Sequence, residues 1–143
     1  MATVNIYLNF KGNCEEAFHL YKSVFGGDFP YVGRYKDMPQ ESGTCPPADL
    51  DKVMHISLPI SKETVLMGCD ILEAPGRDLI TGNNFAISVN AVSRNEADAV
   101  FNGLAAGGTV NMPLNRTFWG AWFGMLTDPF GIQWMVSYEE PKD

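Results

Sequence analysis

The chain opens on a strict alternation. Val4, Ile6, Leu8 and Phe10 are separated by Asn5, Tyr7 and Asn9, the period of a β-strand with one apolar face. Gly12 turns the chain, and the period then changes. Cys14, Ala17, Phe18, Tyr21, Val24 and Phe25 recur at helical spacing. Asn13 with Glu16 three residues on has the spacing of a capping box, so a helix is predicted to open there and to stop at Gly26-Gly27, where positive φ is tolerated.

The same pattern returns later. Phe85, Ile87, Val89 and Ala91 alternate with Ala86, Ser88 and Asn90; Ser93 and Glu96 form a second capping box; Ala97, Val100, Phe101, Leu104 and Ala105 make a second helical stripe. Glu16-Ala17 recurs at Glu96-Ala97 and Gly26-Gly27 at Gly107-Gly108, offsets of 80 and 81. Short strand-like runs follow each helix: Tyr31–Tyr35, Val53–Leu58 and Thr64–Met67, then Thr109–Met112, Ala121–Leu126 and Ile132–Tyr138. Asp128-Pro129-Phe130-Gly131 suits a type I turn joining the last two as a hairpin.

Each half therefore reads β-α-β-β-β, and the fold class is α+β: two βαβββ modules at about residues 1–70 and 84–139, joined by a connector at about 71–83 that contains Pro75, Gly76 and Gly82. One helix covers one face of a four-stranded sheet and leaves the other bare. Two such halves in a single domain, 1–143, are expected to form a curved mixed sheet around a cleft. Asp37–Asp51, with Pro39, Gly43, Pro46 and Pro47, is the longest irregular stretch, a lid, an interface arm or a plain surface loop.

Composition narrows the function classes. At 143 residues, with 45% hydrophobic and 19% charged, the chain has the size and balance of one ordinary globular domain. Ten Lys and Arg against 17 Asp and Glu give a net charge of −7 with the bases scattered singly, which argues against nucleic-acid and anionic membrane partners. No run approaches the ~20 apolar residues of a membrane span. Cys14, Cys45 and Cys69 are odd in number and form no CxxC pair, which fits reduced thiols and a cytoplasmic setting. No GxGxxG or GxxxxGK[ST] occurs, so neither dinucleotide nor nucleotide phosphate binding is supported.

The candidate chemistry is sparse. His55 is predicted to share a strand face with Ser57, away from Met54, Ile56 and Leu58, as a general base or hydrogen-bond donor to a ligand, or as a structural histidine. Cys69 and Asp70 follow the Leu66-Met67 strand end, where a thiol and a carboxylate can face a ligand; Asp70 is alternatively a capping or turn carboxylate. His19 lies four residues after Glu15 and reads as a solvated pair. Trp119 and Trp122, in the aromatic run Phe118–Gly124, and Trp134 beyond it suit a flat ligand stacked in a cleft, or else fill a core or interface. Arg116 is the candidate anion anchor, and Met67 joins the ligand-binding candidates.

Four strings carry a resemblance: YLNFKGNCEEAF at Tyr7–Phe18, VMH at Val53–His55, LMGCD at Leu66–Asp70 and MPLNRTFWGAWFGMLTDPFGIQWM at Met112–Met135. With the duplicated pattern, they resemble the PhnB-like branch of the vicinal oxygen chelate superfamily, the glyoxalase and bleomycin-resistance fold. The resemblance implies a homodimer, and metal-ligand positions at about Ile6, Met67, Asn84 and Met135. None of these four is a usual ligand for a hard divalent ion. The expectation is a protein that binds a small organic ligand in an aromatic cleft with no metal and no cofactor. The alternative is a lyase, isomerase or transferase, metal-free or with a non-standard metal site.

Overall fold

A computed structural model of the chain describes residues 2–38, 45–72 and 78–141. The chain divides into two compact units, residues 1–80 and 81–143, so the boundary falls near the end of the expected connector. Pro39 and Gly43 of the irregular stretch, and Pro75 and Gly76 of the connector, lie outside the described residues.

Unit 1 comprises β1 (Ile6–Phe10), α1 (Cys14–Phe25), β2 (Tyr31–Arg34), 3-10 turns at Tyr35–Asp37 and Pro47–Asp49, β3 (Val53–Pro59) and β4 (Val65–Asp70). Its sheet runs β1-β4-β3-β2, with β1 parallel to β4 and the other pairs antiparallel. The stripe read from the sequence buries Cys14, Ala17, Phe18 and Tyr21 on the sheet. Phe18 sits so close to β4 that a Cβ on Gly68 would lie 2.7 Å from its ring, so glycine is what lets the helix approach. Burying a side chain of this size contributes roughly 1.5–3 kcal/mol.

The capping box at Asn13 does not form; Asn13 has no side-chain cap bond. The helix start is instead satisfied from the far end of the module. One Asp70 oxygen, at the end of β4, accepts from the Gly12 and Cys14 N–H groups, both at 2.9 Å, and the other accepts from the Val53 N–H at 2.9 Å. Asp70 thus ties the openings of α1 and β3 to the end of β4, and it is only 2% exposed.

Unit 2 repeats the topology: β5 (Ile87–Asn90), α2 (Arg94–Ala105), β6 (Thr109–Arg116), β7 (Ala121–Thr127) and β8 (Gln133–Glu139), in the order β5-β8-β7-β6 with β5 parallel to β8. Each unit thus holds its own four-stranded mixed sheet. Here the local cap does form. Ser93 Oγ accepts from the Glu96 N–H at 3.0 Å, while Glu96 reaches back to the Val92 N–H at 3.0 Å, one residue before the expected partner. The α2 stripe buries Ala97, Val100, Phe101 and Leu104, with Phe101 seated over Gly124 as Phe18 is over Gly68.

Two strand limits differ from the pattern by three residues or more. β6 runs to Arg116, four residues beyond the expected end at Met112 and through Pro113. It is an edge strand with register shifts around Met112 and Asn115, and an edge tolerates a residue that cannot donate a ladder hydrogen bond. β4 runs to Asp70 rather than stopping at Met67. The Asp128–Gly131 turn forms as read, with the Gly131 N–H donating to the Asp128 carbonyl at 3.1 Å and Gly131 at φ +88°. Among the described residues no helix is long and apolar enough to cross a membrane.

Candidate functional site

Strand alternation gives the unit 1 sheet two chemically different faces. Leu8, Phe10, Ile56, Leu58 and Leu66 are buried on the side of α1. Tyr7 and Asn9 of β1 point the other way, and register places Tyr7 beside Met67 and Asn9 beside Cys69. Met67 also pairs with Ser57, and Gly33 of β2 pairs with His55. The face away from α1 therefore gathers three sequence candidates, His55, Met67 and Cys69, around a residue that was not one: Tyr7.

The Tyr7 hydroxyl lies 3.2 Å from His55 Nδ1 and also hydrogen-bonds the Cys69 thiol. The Tyr7 and Tyr31 rings flank the imidazole, with centroids 5.5 and 5.8 Å away. Cys69 donates to Asn9 Oδ1 at 3.4 Å. The thiol and the imidazole do not meet directly; Tyr7 stands between them. Its phenol is held well above the ordinary tyrosine range, first by burial of the hydroxyl and then by the thiol, although 43% of the residue is exposed. Burial also pushes the Cys69 thiol up; the Tyr7 hydrogen bond opposes this, and the Asp70 charge adds to it. Thiol and phenol are both neutral near pH 7, so the arrangement is a set of hydrogen-bonding groups rather than a resting nucleophile.

A cavity of about 540 Å³ adjoins this face. Asn9 and Cys69 belong to both, Tyr35 and Asp78 complete the polar part, and the aliphatic side chains of residues 71–72 and 79–80 supply the apolar wall. Its volume lies within the range of small-molecule sites, roughly 300–1,000 Å³. The Tyr35 hydroxyl donates to the Asp70 carbonyl at 2.7 Å, and burial raises its pKa.

The remaining candidates have structural duties. Asp70 is corrected from catalytic acid to backbone tie: its carboxylate is buried and accepts three N–H groups. Trp134 is corrected from ligand platform to core, since it is 0% exposed and its indole N–H donates to Asp128 Oδ2 at 2.9 Å. Trp122 is clamped by α2, its N–H donating to Asp98 Oδ1 at 2.8 Å and its ring lying 4.0 Å under the Arg94 guanidinium. Arg116, the expected anion anchor, pairs with Glu140 at 2.8 Å. Of the three tryptophans only Trp119 is exposed, stacked edge-on against Phe118 beside a 220 Å³ pocket with Glu139 and Glu140. Tyr7 and Asn9 carried a sequence signal, as the polar side of the opening alternation; Tyr31 carried none.

The sequence pattern of the Glyoxalase/Bleomycin resistance protein/Dioxygenase superfamily matches residues 4–136. The chain belongs to this superfamily. Protein PA1353 from Pseudomonas aeruginosa is 39% identical, with a TM-score of 0.84 over 99% of this chain and 100% of that one. A PhnB protein from Bacillus cereus, described as a putative 3-demethylubiquinone-9 3-methyltransferase, is 25% identical, with a TM-score of 0.75 over 96% of this chain and 99% of its own. Protein YjdN of Escherichia coli strain K12 is 28% identical over 138 residues, 92% of this chain and 91% of that protein.

The superfamily resemblance implies metal-ligand positions, and the residues present do not fit a divalent ion. In unit 1 Ile6 alternates with Tyr7 and so shares the α1 side with Leu8, which leaves Tyr7 opposite Met67. In unit 2 the partner of Met135 is Ser88. A phenol that resists ionisation, a hydroxyl and two thioethers are poor donors for a hard cation. Among the described residues no three of His, Cys, Asp and Glu come together as a ligand group.

Proposed function

We propose that this superfamily member binds a small organic ligand without a metal, at the face of unit 1 formed by Tyr7, Asn9, His55, Met67 and Cys69 and at the adjoining cavity. The observation that carries the reading is the Tyr7 hydroxyl set between His55 and Cys69, beside an apolar cavity of about 540 Å³. A few convergent polar groups against an apolar wall fix a ligand's orientation while burial supplies affinity. In this reading the working form is a cytoplasmic homodimer, and sedimentation at micromolar concentration tests the dimer.

The test is a thermal-shift screen of small organic compounds, run with and without divalent ions. A ligand that fits the native state raises the melting temperature by mass action. The reading expects hits whose shifts are unchanged by EDTA and reduced in Tyr7→Phe and His55→Ala. Hits that appear only with added Mn, Ni or Zn overturn the metal-free reading.

The Tyr7–His55 hydrogen bond favours a second reading, a lyase, isomerase or transferase in which this pair moves a proton at the ligand. In this reading His55 accepts the ligand's proton, and the Tyr7 hydroxyl, which keeps its own, hydrogen-bonds the charge that develops. Turnover of a screened ligand by the wild type that survives His55→Ala unchanged would sink it.

A further inference from the structure

We propose that the cavity beside Cys69 takes an organic amine, with its ammonium group at Asp78 and its apolar body along Ile71, Leu72, Leu79 and Ile80. The inference rests on the ligand-binding reading above and narrows it to a chemical class.

Charge decides the class. Among the described lining residues Asp78 carries the single formal charge, and none is Lys, Arg or His. The neutral polar lining is already engaged: the Tyr35 hydroxyl donates to the Asp70 carbonyl, and the Cys69 thiol donates to Asn9 Oδ1. Four basic side chains of unit 1 are committed to carboxylates elsewhere, Lys22 to Asp28, Arg34 to Glu15, Lys36 to Asp51 and Lys52 to Asp49. An anion entering here would lose hydration and find no counter-charge among the described lining residues. An ammonium meets a carboxylate, and the chain's net charge of −7 draws cations toward it. Ile80, 89% exposed, offers apolar surface that the body of such a ligand would cover.

Three probes with one body and different charges test this: 4-phenylbutylamine, 4-phenylbutanol and 4-phenylbutanoate, titrated calorimetrically into the full chain and into Asp78→Asn. The amine is expected to bind tighter than the alcohol by up to about fivefold, the most that a partly exposed ion pair supplies, and the carboxylate weakest of the three. Asp78→Asn brings the amine to the alcohol's affinity and leaves the alcohol unchanged; high salt narrows the gap in the wild type. An amine preference that persists in Asp78→Asn overturns the proposal. So does tightest binding of the carboxylate, the order expected if Arg77, which adjoins Asp78 in sequence, sets the charge. In either case the binding reading survives. If none of the three probes binds, the binding reading of the cavity fails, and this inference with it.

Discussion

Asp70 ties unit 1 together although its side chain never reaches the face away from α1. Asp70 alternates with Cys69 on β4, so placing its carboxylate under α1 sends the neighbouring thiol to the opposite side. Asp70→Ala would leave three N–H groups without their acceptor, two of them in buried bonds, at about 1–3 kcal/mol each, so a loss of about 3 kcal/mol or more is expected by urea unfolding. Asp70→Asn keeps one acceptor oxygen and should lie between. Across the sheet, Tyr7 holds the Cys69 thiol by a hydrogen bond that lowers its pKa against the stronger effect of burial. Removing that bond raises the pKa further and leaves less thiolate at any given pH. In a Cys45→Ser background, with Cys14 buried, Tyr7→Phe should slow alkylation of Cys69 and move its pH–rate curve to the alkaline side. An unchanged curve would contradict the Tyr7–Cys69 contact.

At the scale of elements, the two helices start by different devices although their sequences look alike. Asn13…Glu16 and Ser93…Glu96 have the same spacing, yet only Ser93 accepts the N–H three residues on. Asn13 sits at φ −114° and ψ 22°, whereas Ser93 is extended, the usual conformation of a capping residue. Ser93→Ala should therefore cost about 1 kcal/mol by thermal or urea unfolding, and Asn13→Ala much less. Comparable losses would mean that Asn13 caps after all. This is also where legibility ran out. Both stripes, both di-glycine stops and the Asp128 turn were readable because they depend on neighbours a few positions apart. The cap on α1 was not, because its acceptor is 56 residues away in the chain. The fate of Trp134 was hidden for a related reason: its partner Asp128 is near in sequence, but the turn had to form before that carboxylate could face the indole. The expected end of β6 at Met112 stopped short of Pro113, and only the strand order shows that β6 is an edge where proline is tolerated.

At the scale of the whole molecule, duplication preserves topology while letting the chemistry of the two units diverge. Both sheets pair their first and last strands in parallel and seat a helix phenylalanine on a strand glycine. The faces opposite the helices are not copies: unit 1 has Tyr7 beside Met67, and unit 2 has Ser88 beside Met135. Metal affinity depends on donor chemistry, and these positions hold thioethers and neutral hydroxyls, poor donors for a hard cation. Protein purified without an affinity tag should carry far less than one equivalent of Mn, Ni or Zn by elemental analysis. Its melting temperature should not move on adding EDTA or on titrating any of the three ions, because an ion held by the native state would raise it by mass action. Placing real ligands tests the same logic from the other side. Tyr7→His with Met67→Glu puts an imidazole and a carboxylate on adjacent parallel strands of unit 1, and should introduce a zinc-dependent rise in melting temperature that the wild type lacks. A stoichiometric metal in the wild type would show instead that donors outside this face assemble a site, and the metal-free reading would fall.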